Sequence, residues 1–455
     1  MYLIYYSLFL ISVVLIELTR TKTYKVDFLT IFNFNFLISY LVPCVLWSAD
    51  PDGFSHDLPY NLTYNPTATL EVSSALFISY FGFCVSYFTF YRTNLRFYIT
   101  PIKMYDYKGI LRRFIFIMIL FVILVFVGIV LMGGLGDFIA AGIESRHTHS
   151  SYGLVGYFSY FYNAFPLFFI AIALFVSFKN SMQFSKCYYA IMLIVIGVGM
   201  LALLSRGGRT GLVFLLLNVI FYLYMIGKLK FNFKNLLLIT FVSLFSLFII
   251  SEMHHISAAL IYDTELALTE KLELFPSKIG VAILEIFQYS AHRLYIIVEI
   301  FSKEELYNYP RLGSDNLSGL LILIPGSLSS NLGLYVLPDY VSQQVMGKYN
   351  GDIPPGWIGW ALLNGGYLWL LLKTIIAAYF AVVLDKSRSN FIHKIGDIFG
   401  QYFYFIIMLT VNSVLFIGTA KNLVRGQLGI AVFFALIFFI PYIRVIKLRI
   451  CTARI

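Results

Sequence analysis

Two arginines stand between two apolar stretches of the chain, in residues 205–211, which read Ser-Arg-Gly-Gly-Arg-Thr-Gly. A charged side chain at membrane depth costs about 2.5–3.5 kcal/mol unless it has a partner or a wet cavity, so it indicates function. Glycines let a ligand approach the backbone, and paired guanidinium groups bind phosphate oxygens. Arg206 and Arg209 are therefore candidate phosphate-binding residues. The alternative is a tight helix hairpin whose arginines reach up to the lipid headgroups.

A second polar cluster, residues 144–149, reads Glu-Ser-Arg-His-Thr-His and follows a glycine-rich turn. Arg146 and His147 are candidates for contact with a sugar or a phosphate. His147 and His149 also resemble a metal-binding pair, but a pair without a third ligand is weak support for a metal. The remaining alternative is a solvated loop. Asp50-Pro51-Asp52 resembles a metal-binding DxD motif, although such a Pro-containing pair is usually a solvated turn.

The longest polar segment, residues 252–357, holds further candidates. His292 and Arg293 interrupt an apolar stretch, and a histidine accepts a proton near neutral pH, as activation of a hydroxyl requires. The alternative is a histidine that only packs. Asn350 and Asp352 come just before a Pro-Pro-Gly-Trp sequence, where they either accept hydrogen bonds from sugar hydroxyls or cap a helix. This sequence predicts that Trp357 lies at the membrane interface.

Cations also lie in other outer segments. Lys421 and Arg425 occupy the short loop between the last two predicted spans, and Arg311 lies in the longest polar segment. By the positive-inside rule, outer loops carry few Lys and Arg residues, so these cations predict an anionic ligand at the outer face.

The amino-acid composition indicates that these residues belong to a membrane protein. Lys and Arg number 33 and Asp and Glu 23, which makes 12% charged residues, against roughly 25% in soluble domains. Hydrophobic residues reach 60%, with a mean hydropathy of +0.82. At about 20 apolar residues per crossing, the chain is predicted to be an all-α polytopic membrane protein with about eleven (10 to 12) transmembrane helices. Spans are expected near residues 2–17, 28–47, 71–91, 114–133, 153–178, 187–204, 211–227, 235–252, 358–383, 395–417 and 427–443.

The basic residues cluster in short loops on alternate sides, which predicts an outer N-terminus and a cytoplasmic C-terminus. The same bias explains the net charge of +10, so the charge indicates no nucleic-acid partner. Three parts are predicted: a bundle of about eight helices (1–252), a large outer segment with short interfacial helices (253–357), and C-terminal helices with a basic tail (358–455). Most spans are nearly free of charge, and Lys373 is an exception.

The arrangement as a whole resembles the O-antigen polymerase (Wzy) family of bacterial inner-membrane proteins. The resemblance covers nearly the whole chain. It rests on the number of spans, the element at 205–210 between consecutive helices, the large late outer segment, and residues 350–357 followed by Asn364-Gly365-Gly366. It implies a GT-C-like glycosyltransferase, without cofactor or metal, that acts at the periplasmic face. The implied substrate is undecaprenyl-pyrophosphate-linked oligosaccharide, polymerised with inversion at the anomeric carbon. The implied partners are a chain-length-regulating co-polymerase (Wzz) and the lipid bilayer.

The resemblance also assigns roles. Arg206 and Arg209 would stabilise the departing lipid pyrophosphate, because positive charge acts most strongly where negative charge develops. His292 or Asp352 would accept the proton of the attacking hydroxyl. His292 and Arg293 are positional counterparts of a histidine and an arginine that the related O-antigen ligase uses. The substrate-binding candidates are Arg146, His147, Arg311, Asn350, Lys421 and Arg425.

Two other functions remain open. An O-antigen ligase would have nearly the same sequence features. A lipid-linked oligosaccharide flippase or transporter would carry charges within its spans and often repeated halves, and no repeat is visible here.

Overall fold

The computed structural model describes residues 1–22, 26–55, 69–93, 107–135, 137–138, 220, 222–225, 227, 229, 291, 293–303, 355–395 and 397–417. Regular structure in these ranges is helical. The elements are α1 (Tyr2–Thr19), α2 (Phe28–Phe36), a π-helical segment (Leu37–Leu41), α3 (Val42–Ala49), α4 (Pro51–Ser55), α5 (Leu70–Arg92), α6 (Tyr107–Leu131), α7 (Gly356–Ile395) and α8 (Asp397–Ile417). Residues 293–302 are also helical.

Five helices in the described ranges are long and apolar enough to cross a membrane: Tyr2–Thr19, Phe28–Ala49, Leu70–Arg92, Arg113–Leu131 and Gly356–His393. The chain is therefore a helical membrane protein. The first four predicted spans are confirmed as apolar helices, and the tenth coincides with α8. The expected spans at 153–178, 187–204, 235–252 and 427–443 lie outside the described residues, as does most of 211–227. The total of eleven spans, the GT-C-like arrangement and the three-part division stay predictions.

Capping residues fix where two of the spans begin. The Asp27 side chain accepts a hydrogen bond from the backbone amide of Thr30 at 2.9 Å, which satisfies one free N–H of the first turn of α2. Thr69 plays the same part for α5 by accepting from the amide of Val72 at 3.3 Å. Both caps stand at the polar edge of an apolar run, so the helix starts coincide with the change in hydropathy.

The chain segments that the charge pattern predicts on one side meet in the structure. Arg388 donates to the carbonyl oxygen of Val26 at 2.5 Å, and Lys386 donates to that of Thr93 at 2.5 Å. The late part of α7 therefore lies beside the start of α2 and the end of α5. We call this region the basic end, defined by Arg20, Arg92, Lys386 and Arg388.

Helix α7 is a hairpin rather than one straight span. The ammonium nitrogen of Lys373 lies 3.4 Å from the carbonyl oxygen of Trp357, whereas residues sixteen apart in a continuous helix lie about 24 Å apart. The turn is at Gly365 and Gly366, and Gly366 has φ 62° and ψ −150°, a conformation that favours glycine. A short arm (356–364) thus folds back along a long arm (367–395). The span expected near 358–383 lies within the apolar helix Gly356–His393, and the turn at Gly365 and Gly366 divides this helix into two arms.

Close packing holds the hairpin within the bundle. All nine residues of the short arm are buried. A Cβ atom added at Gly82 of α5 would lie 3.3 Å from a methyl carbon of Thr374, so α5 and the long arm approach closely there. A Cβ at Gly359 would lie 3.4 Å from Ile296, which brings the helical residues 293–302 against the short arm. The short arm is therefore surrounded by protein and positions the residues beside it.

Candidate functional site

Arg293 is the predicted site residue that lies within the described ranges. It lies at the start of the helical residues 293–302 and is partly buried. Its Nη1 donates a hydrogen bond to the Ser39 hydroxyl oxygen at 2.6 Å. A Cβ atom on Gly356 would lie 3.3 Å from the Cδ of Arg293. The arginine side chain therefore lies between the second membrane-spanning helix and the start of the short arm.

The π-helical segment Leu37–Leu41 presents Ser39 to the arginine. Pro43 has no backbone N–H, so it cannot donate to the Ser39 carbonyl four residues earlier, as an α-helix requires. A wider turn absorbs this defect, and such turns are frequent at functional sites. Ser39 is only 4% exposed. The sequence analysis did not identify Ser39. Pro43, four residues later, is the signal that could have indicated an irregular turn there.

Gly356 allows Tyr40, Arg293 and Phe416 to pack closely against the start of the short arm. Its φ of +69° is in the left-handed region, where a side chain is strained. A Cβ there would lie 2.6 Å from the Tyr40 hydroxyl, and the carbonyl oxygen of Phe416 is 3.5 Å away. Glycine is thus required by both backbone and space, and it lets Tyr40, Arg293 and the end of α8 converge on the short arm.

Trp357 is fully buried, and its ring packs on Phe32 and Phe416, with centroid distances of 5.8 and 6.4 Å. The prediction that Trp357 lies at the membrane interface is wrong. The short arm starts inside the bundle, so the residue that the Pro-Pro-Gly sequence positions meets other helices instead of headgroups. The aromatic rings form an apolar wall behind Gly356.

Lys373 lies on the other arm of the hairpin. Its ammonium nitrogen is 3.6 Å from the centroid of the Trp360 ring, a cation–π distance, in addition to its contact with the carbonyl of Trp357. Its charge within an apolar run was visible in the sequence, but its partners were not. Two cations, Arg293 and Lys373, thus flank consecutive residues of the short arm, Gly356 and Trp357. We call Ser39, Tyr40, Arg293, Gly356 and Lys373 the hairpin site.

The hairpin site can bind an anion. It offers guanidinium and ammonium donors and two hydroxyl groups, next to the aromatic rings of Phe32, Trp357 and Phe416. A guanidinium group suits oxyanions because its donors form a planar fork. In the described ranges, no group of three or more His, Cys, Asp or Glu side chains has the arrangement of a metal site.

The basic end holds a different polar cluster, built of paired charges. Arg20 donates to both carboxylate oxygens of Asp27 at 2.6 Å and to Glu17 at 2.8 Å. Burial alone would raise the pKa of Asp27, but its bonds with the Arg20 guanidinium hold that pKa below its usual value of 3.8. Burial would lower the pKa of Arg20, and its bonds to Asp27 and Glu17 raise it instead. This cluster joins α1 to α2.

Asp385 forms a second junction near the basic end. Its carboxylate accepts from the backbone amide of Phe28 at 3.0 Å, from the Tyr87 hydroxyl at 2.5 Å and from the Tyr404 hydroxyl. These donors belong to α2, α5 and α8, and Asp385 itself belongs to α7. Asp385 is only 4% exposed. A buried carboxylate surrounded by donors from three other helices is best suited to fixing their relative positions.

Most of the predicted site residues lie outside the described residues. They are Arg206, Arg209, His292, Asp352, Arg146, His147, Arg311, Asn350, Lys421 and Arg425. Their proposed roles stay predictions.

Comparison of the chain with protein-family models, with curated proteins and with solved structures finds no match. The fold and the site define a helical membrane protein with a cation-lined site beside the buried short arm of a helical hairpin.

Proposed function

We propose that the chain is an O-antigen polymerase, a membrane glycosyltransferase that joins undecaprenyl-pyrophosphate-linked oligosaccharide repeat units. The observation that carries the proposal is the position of Arg293. It contacts Ser39, twelve residues along the second span from Asp27, which is about 18 Å of helix away from the basic end. On the predicted orientation this is the periplasmic half of the bundle, in the inner membrane, where the lipid-linked substrate would be used.

The chemistry of this reaction fits a site rich in cations. An acceptor sugar hydroxyl attacks the anomeric carbon of the donor, and the bond from that carbon to the pyrophosphate oxygen breaks. The bonding electron pair leaves with the lipid pyrophosphate, and the hydroxyl proton passes to a base, for which His292 and Asp352 are the candidates. Arg293, together with Arg206 and Arg209, would stabilise the charge that develops on the leaving group.

A flippase or transporter is the second candidate, and one observation favours it. Lys373 and Asp385 both lie within the candidate span Gly356–His393, and ionisable residues inside a span often mark a transport path. Asp385, however, already accepts hydrogen bonds from three other helices, which suits a structural junction. An O-antigen ligase is a third candidate that shares the same substrate chemistry.

Disruption of the gene separates these functions on a lipopolysaccharide gel. Loss of the polymerase leaves lipopolysaccharide capped with a single repeat unit. Complete loss of capping would favour the ligase or the flippase, and a normal ladder would contradict all three.

A second test changes Arg293 itself. Arg293→Ala should abolish chain growth while the protein stays in the membrane, and Arg293→Lys should keep part of the activity, because it retains the charge but not the planar fork. Arg92→Ala is the matched control, since Arg92 is an exposed arginine at the basic end. A normal ladder in the Arg293→Ala strain would remove Arg293 from the site.

A further inference from the structure

The contacts of Lys373 use few of its hydrogen-bond donors. An ammonium group has three N–H donors. Within the part of the chain that the structure describes, Lys373 contacts the Trp357 carbonyl at the long distance of 3.4 Å and the face of the Trp360 ring. The salt bridges found among those residues involve Arg20, Lys22 and Lys303, but not Lys373. Neither of the two contacts is an ion pair.

Lys373 lies next to the apolar face that the long arm exposes. The long arm exposes large apolar side chains at a spacing of four residues, which places them on one helix face. The exposed fractions are 78% at Leu368, 45% at Leu372, 47% at Ile376 and 58% at Phe380. Lys373 follows Leu372 directly and is partly buried, with its side chain turned from this face toward the short arm.

Lys373 lies close to one end of the bundle. Tyr367, the first residue of the long arm, donates to the carbonyl oxygen of Glu71 in the first turn of α5, so it marks one end of the bundle. Lys373 lies six residues further, about 9 Å along the helix.

We propose that Lys373 and Trp360 form a lateral docking subsite for the phosphate groups of a polyprenyl-linked carrier that enters the hairpin site from the bilayer. The inference rests on the proposed function, because that function supplies a lipid-linked phosphate as substrate. The carrier's phosphate oxygens take the place of the long Trp357 carbonyl contact. Arg293 lies beside Gly356, the residue that precedes Trp357 in the short arm.

The test is binding to the purified full-length protein in lipid nanodiscs, with farnesyl pyrophosphate as the probe. Lys373→Met, which removes the charge but keeps the length of the side chain, should weaken binding by about tenfold or more, and Lys373→Arg should stay within a few-fold. Lys386→Met is the matched control, since Lys386 is a lysine of the same helix that donates to backbone carbonyls at the basic end. It should bind like the wild type.

Two further probes identify the source of the phosphate. Inorganic pyrophosphate should bind more weakly than farnesyl pyrophosphate, and phosphatidylglycerol should compete poorly. Equal binding of inorganic pyrophosphate would overturn lateral docking, and equal competition by phosphatidylglycerol would overturn the link to the carrier. Trp360→Leu keeps the lysine and should also weaken binding, which provides a second variant if Lys373→Met does not fold.

The failure of this inference is distinct from the failure of the proposed function. Unchanged probe binding by Lys373→Met overturns the subsite, whatever the lipopolysaccharide gel shows. A normal ladder after gene disruption overturns the polymerase, even if probe binding depends on Lys373.

Discussion

The replacement of Gly356 by alanine tests the geometry of the hairpin site. An alanine at φ +69° is strained by about 1–2 kcal/mol. Its Cβ would also lie 2.6 Å from the Tyr40 hydroxyl and 3.3 Å from Arg293, and overpacking of this kind costs typically about 1–3 kcal/mol. The expected loss of unfolding free energy is therefore about 2–5 kcal/mol.

Gly227 provides the matched control. Its φ is +71°, almost the same as that of Gly356, but an added Cβ would meet no atom within 4 Å. Gly227→Ala should thus cost only the backbone strain of about 1–2 kcal/mol. In a Tyr40→Phe background, Gly356→Ala should lose less stability than in the wild type, because the nearest atom to the new Cβ is gone.

The assay is unfolding of the purified protein in mixed micelles with increasing fractions of a denaturing detergent. The difference between Gly356→Ala and Gly227→Ala isolates the steric contribution from the backbone strain. An equal cost at both glycines, or no recovery with Tyr40→Phe, would refute the close contact between the short arm and Tyr40.

Three further predictions concern stability. The Arg20 guanidinium overcomes the effect of burial and holds the pKa of Asp27 below its usual value. The ion pair therefore stabilises the protein above about pH 4, and this stabilisation is lost as the pH falls through the folded-state pKa of Asp27. The stability gap between wild type and Asp27→Asn should therefore shrink from about pH 6 to about pH 3 in thermal unfolding, and a constant gap would contradict the pairing. Asp385→Leu leaves three donors from other helices without their acceptor and should cost about 3 kcal/mol or more; a thermal midpoint like that of the wild type would remove its role as a junction. Gly366→Ala, at φ 62° and ψ −150°, should cost about 1–3 kcal/mol, and an unchanged midpoint would speak against the hairpin turn.

The spans of the first third of the chain were predictable because an apolar run long enough to cross a bilayer is visible in the sequence, whichever helices it packs against. The apolar runs at 2–17 and 71–91 correspond to Tyr2–Thr19 and Leu70–Arg92. The caps at Asp27 and Thr69 are also local features, since each contacts an amide three residues ahead. Capping residues and hydropathy are thus sufficient to predict where a helix begins when a polar residue directly precedes an apolar run.

The hairpin was not predictable in the same way. Both arms of α7 are apolar, so hydropathy reads them as one span, and the pair Gly365-Gly366 was the only local sign of a turn. The fold decides whether such a pair bends a helix, because the short arm needs surrounding helices to bury it.

The candidate site was predictable only in part. Arg293 was identified from its charge within an apolar stretch, but its partner Ser39 lies 254 residues earlier in the chain. Lys373 stood out as a charge within a span, whereas its contacts with Trp357 and Trp360 depend on the hairpin. Residue type indicates which groups need partners in a membrane, and tertiary structure decides which partners they find.

The most direct measurement of the central claim uses proteoliposomes that contain the purified protein and undecaprenyl-pyrophosphate-linked single repeat units. Chains of several repeat units on the lipid carrier should form with the wild type and not with Arg293→Ala. Carriers that keep a single repeat unit in the presence of the folded wild-type protein would contradict the polymerase.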